Sequence, residues 1–369
     1  MPTRRAANSH AFPLRSSTLF CGLVLLVLGL GPFRQVLFSS PGASSGTTIE
    51  WMPGLPATNP GALEATPAKP MITPTPAAQT REGLASEIDA ILENEPGVYG
   101  VMVLDAQGNT VYTRNETVPF IAASLYKLTL MATIYSQIEQ GTISLDTPLR
   151  LSPAYFTDID GDGYFGDEDI GTQVTVNQAL LATGAWSSNV GARALLSTTS
   201  WSAVAAMATK LGLTHSSFNL EIQGDGVATP APDLADANEV ATAEAFIEGQ
   251  AVEGAVMLTT PADIAHFFQL LAQGQVVSPT VSAGILAILK QQQVNDRIPA
   301  LLPDDVTVAH KTGNLDEVVH DVGLIYVDAG AVTLVLMTEN VPDVDVATRT
   351  LQTISRDVYQ WALAIDPVG

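Results

Sequence analysis

From residue 81 onward the apolar positions follow two periods, one helical and one strand-like. Glu82–Glu95 repeats at helical spacing and is stopped by Pro96-Gly97. Val98–Leu104 and Thr110–Thr113 read as two strands around Asp105-Ala-Gln-Gly108, a hairpin pattern. Ile121–Tyr135 returns to the helical period, with a helix expected from about Ser124 to Gly141, and Asp146–Leu151 is a short connector. A helical tract is expected from Val176 past Leu195 and another over Ser202–Leu211. Thr260 caps a helix with Pro261 in its first turn, and Pro279–Gln293 is one more helix. Val306–Lys311, Asp321–Val327 and Val332–Met337 run apolar or alternate as strands, and Asp345–Ala364 closes the chain as a helix. Residues 223–256 are rich in Ala, Asp, Glu and Pro without a period, which predicts a long loop. Strands near both ends with helices between them predict an α+β fold, its sheet closed by the termini and a helical subdomain inserted.

The first 80 residues have a different character. Residues 1–17 carry Arg4, Arg5 and Arg15 and no acid, followed by an apolar run over Thr18–Gly31 that can extend to Phe38 past Arg34. A basic start followed by an apolar run predicts an export segment. The lack of a small-x-small site after it favours an uncleaved membrane anchor over 1–38, rather than a cleaved signal and a secreted protein. The basic side stays inside, which places the rest of the chain in the cell envelope, outside the cytoplasm. Residues 39–80, rich in Pro, Thr, Ser, Ala and Gly, predict a linker, leaving 81–369 as the folded domain. Cys21 is the only cysteine, so no intrachain disulfide can form. The net charge is −22, and five of the 16 basic residues but only two of the 38 acidic ones precede residue 81. So acidic a domain excludes nucleic acid as a partner.

Three short stretches carry candidate chemistry. Ser124 and Lys127 lie three apart at a helix start, so the amine comes up beside the hydroxyl. A serine needs a neighbouring base to become a nucleophile. A lysine held in apolar surroundings near another cation can act as one. Free N–H groups at a helix start can also steady an oxyanion. Trp186-Ser187-Ser188-Asn189 offers a second hydroxyl and an amide two residues apart, and His310-Lys311-Thr312-Gly313-Asn314 ends a predicted strand. The chain has five lysines, and two of them fall in these motifs.

In this order and context the motifs resemble those of the penicillin-recognising serine enzymes, and among them the class A β-lactamase-like group. Leu258-Thr259-Thr260-Pro261-Ala-Asp263 and Val319-His320-Asp321-Val-Gly extend the resemblance over 81–369. It implies a β-lactamase/transpeptidase-like fold, with an antiparallel sheet flanked by terminal helices. It implies a serine hydrolase acylated on Ser124, most simply one that opens β-lactams, with Lys127 as base or proton relay. Ser187 would pass the proton to the leaving nitrogen, and Asn189 would bind the substrate's side-chain amide. Lys311 and Thr312 would hold the substrate carboxylate, helped by His320, and Gly313 would let the acyl chain lie against the strand. The N–H groups of Ser124 and Asn314 would form the oxyanion hole. The substrate implied is a β-lactam or peptidoglycan-like peptide, taken by a monomer without a catalytic cofactor.

The chain departs from the family pattern twice. Ser188 stands where the family usually has Asp. No Glu-x-x-Leu-Asn loop follows Leu211-Gly-Leu-Thr-His-Ser-Ser-Phe-Asn-Leu-Glu221, so Glu221 is the nearest candidate for a deacylation base or is simply a solvated loop acid. Without such a base the acyl-enzyme would persist, as in a D,D-peptidase or penicillin-binding protein; a binding or sensor domain is the non-catalytic alternative. Separately, Asp158, Asp160, Asp162, Tyr164 and Asp169, with Gly163 at the turn, have the spacing of an EF-hand-like loop, which predicts a structural Ca²⁺ site beside the groove.

Overall fold

The computed structural model describes residues 80–157, 162–218, 220–223, 227–230 and 257–364. A five-stranded antiparallel sheet in the order β2-β1-β11-β10-β9 forms its centre. Its strands are β1 (Val98–Leu104), β2 (Thr110–Arg114), β9 (Val308–Leu315), β10 (Val318–Val327) and β11 (Gly330–Glu339). The termini close the sheet as expected: β1 pairs with β11 in a register that sets Val101 opposite Leu336.

Alternation along the strands gives each face its own core. Tyr99, Val101 and Val103 of β1 and Val332, Leu334 and Leu336 of β11 join Leu84, Ile88 and Leu92 of α1 (Arg81–Leu92). Leu351, Ile354, Val358 and Trp361 of α8 (Val344–Ala364) complete that cluster. Thr80, expected at the end of the linker, belongs to the domain: its hydroxyl accepts from the Gly83 N–H at 3.0 Å and caps α1.

The helical subdomain covers the other face. It comprises α2 (Tyr126–Glu139), α3 (Val176–Ala185), α4 (Asn189–Leu196), α5 (Trp201–Lys210), α6 (Pro261–Ala272) and α7 (Pro279–Leu289). Every α2 residue from Tyr126 to Ser136 is buried. A helix enclosed on all sides has no solvent stripe, so α2 forms the axis of the subdomain. Capping hydroxyls begin the helices around it, from Ser200, Thr260 and Ser278 to the reciprocal Thr175/Gln178 box. Two short pairs, β3 (Phe120–Ile121) with β8 (Leu258–Thr259) and β4 (Pro148–Arg150) with β5 (Gln173–Thr175), tie the crossings.

Three expectations change. The tract from Val176 past Leu195 is two helices, broken between Ala185 and Asn189. Residues 227–230 are not loop but β7, paired with β6 (Leu220–Gln223), so Glu221 sits in a hairpin opposite Thr229. The strands of the sheet extend further than their apolar runs, so Lys311-Thr-Gly-Asn314 lies within β9 rather than at its end. The expected anchor, and the linker up to residue 79, lie outside the described residues. Among those described, no helix is long and apolar enough to cross a membrane.

Gly323 of β10 faces His310 of β9, and a Cβ there would stand 2.4 Å from the Ala309 carbonyl oxygen and 2.6 Å from the His310 Cβ. Both obstacles belong to the adjacent strand's backbone or its first side-chain atom, so neither can swing aside. Gly323→Ala should therefore lower stability by about 1–3 kcal/mol. Urea unfolding checks this, the expected result being a lower midpoint with an unchanged slope.

Candidate active site

The Ser124 hydroxyl is presented by a single 3₁₀ turn, Ala123–Leu125, that leads into α2. Ala123 adopts φ +45° although it is not glycine. The turn is fastened from several sides. The Ala122 N–H donates to the Met257 carbonyl at 2.8 Å, Phe120 is fully buried, and Ile121 lies in β3 beside β8. One α-helical turn on, Lys127 is fully buried and its Nζ lies 3.1 Å from Ser124 Oγ.

The break between α3 and α4 brings the second motif to the same amine. Ser187 takes φ +57°, which turns the chain so that its carbonyl and the Asn189 side chain both face Lys127. Lys127 Nζ donates to Ser187 O and to Asn189 Oδ1, each at 2.6 Å, with Ser187 Oγ further off at 3.5 Å. The third motif arrives on β9, the edge strand of the sheet. Lys311 Nζ donates to Ser187 Oγ and to the Thr312 carbonyl, both at 2.7 Å. The Ser187 hydroxyl thus lies between two buried lysines, one from each half of the fold. Burial first, and then the charge of Lys127, hold the Lys311 pKa well below its ordinary value, with Asp321 pulling the other way.

Ser124, Lys127, Ser187, Asn189 and Lys311 therefore converge on one place. Thr312 is buried beside them, contacted by Lys311 through its carbonyl, and Asn314 is exposed on the same strand. Gly313 also has a reason within the fold to be glycine. A Cβ there would meet His320 Cδ2 at 3.1 Å and Ala123 Cβ at 3.2 Å, so its bareness lets the Ser124 turn approach β9.

His320 does not serve as a carboxylate ligand. It is fully buried, its Nδ1 accepts the Thr338 N–H at 3.1 Å, and its Nε2 therefore donates to the Ile121 carbonyl at 2.8 Å. Burial, aided by Arg297, lowers its pKa to about 4, so it stays neutral and pins β3 under the serine turn. Asp321 pairs with His310 at 2.7 Å and accepts the Ile298 N–H at 2.9 Å. His310 and Asp321 thus form a buried polar layer behind Lys311 that the motif pattern left without a role.

The Asp-rich loop also differs from expectation. Asp158 and Asp160 lie outside the described residues. Asp162 turns inward: its Oδ2 accepts from Ser188 Oγ at 2.5 Å and its Oδ1 from the Val190 N–H at 2.8 Å. Asp169 accepts the Gly166 N–H at 3.0 Å, and the Tyr164 ring packs edge-on to Trp186 with centroids 4.9 Å apart. Among the described residues no group of three or more His, Cys, Asp or Glu side chains is placed to hold a metal. Of Glu221 only the strand backbone is described.

A profile of the β-lactamase enzyme family matches residues 83–362. The chain belongs to that family. A β-lactamase structure from Sphaerobacter thermophilus DSM 20745 is 25% identical, with a TM-score of 0.63, over 77% of this chain and 98% of that one. The protein PBP-A is 19% identical, with a TM-score of 0.59, over 75% of this chain and 94% of that one. An ancestral class A β-lactamase is 22% identical, with a TM-score of 0.59, over 75% and 99% respectively. A search of curated proteins returned no match. Family and fold together make the chain a β-lactamase-family serine hydrolase with the β-lactamase/transpeptidase-like architecture, a family whose chemistry needs no cofactor.

The buried His320 gives a pH dependence of known sign. Its folded pKa of about 4 lies below the unfolded value of 6.5, so the unfolded chain takes up the proton first. Stability from this group is complete above pH 6.5 and falls as pH drops towards 4, by about 3 kcal/mol in all. His320→Gln should be less stable at pH 7 but flatter across that window. Thermal melting at a series of pH values reads this, and parallel curves for the two proteins would refute it.

Proposed function

We propose that the protein is acylated on Ser124 by β-lactams and hydrolyses them. The observation that carries this reading is the pair of buried lysines on either side of the Ser187 hydroxyl, with Ser124 Oγ 3.1 Å from Lys127 Nζ. Ser187 O and Asn189 Oδ1 can only accept hydrogen bonds from Lys127. A neutral Lys127 spends two N–H groups on them and turns its lone pair to the Ser124 hydroxyl. In that arrangement Lys127 takes the Ser124 proton as Oγ attacks the lactam carbonyl. The tetrahedral oxyanion forms beside the N–H groups of Ser124 and Asn314. As the C–N bond breaks, Ser187 Oγ hands its proton to the leaving nitrogen and takes in its place the proton that Lys127 gained from Ser124, which returns Lys127 to its neutral form. Lys311, beside the open edge of β9, supplies the positive field for the substrate carboxylate.

Deacylation separates this reading from a second one. The sequence has no Glu-x-x-Leu-Asn loop after Leu211, which favours a slow acyl-enzyme of the penicillin-binding type. A PBP-A variant 19% identical to this chain, with a TM-score of 0.60, is described as an acyl-enzyme complex with penicillin G. Glu221 is the acid proposed to activate the deacylating water if turnover is fast. The domain acts in the cell envelope, held by the N-terminal segment, in keeping with the basic and apolar pattern of residues 1–38 and with a substrate of β-lactam or peptidoglycan type.

Intact-protein mass after mixing with a penicillin tests both. The wild type should gain one adduct and Ser124→Ala none, while Lys127→Ala should acylate about 10²–10⁴-fold more slowly. Clearance of the adduct within seconds, with opened drug accumulating, supports hydrolysis, and Glu221→Gln should then slow the clearance. An adduct lasting hours supports the second reading, and no adduct would refute acylation by β-lactams.

A further inference from the structure

The residue between Ser187 and Asn189 is Ser188, which stands where the family pattern has an aspartate. A carboxylate is present, but it comes from elsewhere in the chain. Ser188 is fully buried; its Oγ donates to Asp162 Oδ2 at 2.5 Å and accepts the Gly191 N–H at 2.7 Å. Asp162 Oδ1 takes the Val190 N–H at 2.8 Å, and its Oδ2 also accepts the Phe165 N–H at 3.2 Å. Two of the free N–H groups at the start of α4 are thereby satisfied, one by the serine and one by the aspartate.

This arrangement fixes more than a helix end. The residue before Ser188 is Ser187, held at φ +57°, and the residue after it is Asn189, and both reach Lys127. A non-glycine residue keeps a left-handed conformation only where its surroundings over-determine it. Ser188 is held at four points: the Asp162 carboxylate, the Gly191 N–H, its own N–H donating to the Ala182 carbonyl at 3.0 Å, and its carbonyl accepting the Ala192 N–H at 3.3 Å. We infer that Asp162 is the positioning residue that acts through Ser188 to hold Ser187 and Asn189 against Lys127. The Asp162 carboxylate bonds Ser188, Val190 and Phe165, and so acts on geometry. The activity readout rests on the reading of Ser124 as the acylated residue.

The test moves the carboxylate rather than only removing it. Asp162→Ala should slow acylation of Ser124 by a penicillin about 100-fold, the scale expected when a reacting group shifts by an ångström. Asp162→Asn keeps the size of the side chain and should fall between Asp162→Ala and wild type, so that a folding failure of the alanine variant leaves a second reading. Ser188→Asp alone sets two carboxylates face to face and should also be slow. The double variant Asp162→Ala/Ser188→Asp restores one carboxylate and should recover at least tenfold over Asp162→Ala. A merely structural cap would shift the melting temperature without this recovery. Wild-type acylation rates in both Asp162 variants, or a double variant as slow as Asp162→Ala, would overturn the proposal. Should the wild type not react with penicillin, the acylation reading fails by itself. The positioning claim is then judged from a crystal structure of Asp162→Ala: Lys127 still bonded to both Ser187 O and Asn189 Oδ1 overturns it, and loss of either contact upholds it.

Discussion

Two lysines buried without access to water are the constraint that the rest of this fold serves. Removing an ammonium from water is costly unless the protein replaces the lost hydration. Here the replacement comes from two carbonyl-type acceptors for Lys127, one carbonyl for Lys311, and the Ser187 hydroxyl near both. Meeting that requirement fixes the parts around it. α2 must be enclosed on all sides to keep Lys127 dry, the chain must break after α3 to aim Ser187 O inward, and β9 must lie at the sheet edge beside both. Asp321 and His310 supply a buried counter-layer behind Lys311. The same burial holds the Lys311 pKa well below its ordinary value, a perturbation of the kind that gathers at functional sites.

Two of the six non-glycine residues with left-handed backbone among the described residues lie in the same place. Ala123 and Ser187 both hold left-handed backbone without being glycine, one beside each hydroxyl of the site. Such conformations cost on the order of 1–3 kcal/mol each and survive only where neighbours over-determine them. For Ala123 those neighbours are the bare face of Gly313, the Met257 carbonyl and the neutral His320 under β3. For Ser187 they are the two lysines and the capped start of α4.

Much of this was legible in the sequence because it is local. Ser124 and Lys127 are one helical turn apart, and strands at both ends announce a sheet closed by the termini. The break at Ser187 was partly legible: Ser188 and Asn189 ahead of an apolar run are helix-start residues, but the long apolar tract hid them. What was not legible is what depends on partners distant in sequence. The resemblance placed His320 beside the substrate carboxylate because its neighbours in sequence say nothing about Thr338 and Ile121, which tie up its two nitrogens. Asp162 read as a metal ligand from its spacing in an acidic run, whereas its carboxylate is taken by Ser188 and Val190. A cap supplied from 26 residues away leaves no local signature.

The closure of the sheet by its ends also orders events in time. β1 finds its inner neighbour only in β11, more than two hundred residues later, and β9 is held in place by β10. Pairings this distant form late and slowly, since the loop between them must first be closed. Ser124 and Lys127 are made early in synthesis, but Lys311 comes nearly two hundred residues later, on a strand whose place in the sheet depends on β10 and β11. A growing chain therefore carries its serine and first lysine without the second, and the site is completed by the same step that completes the fold.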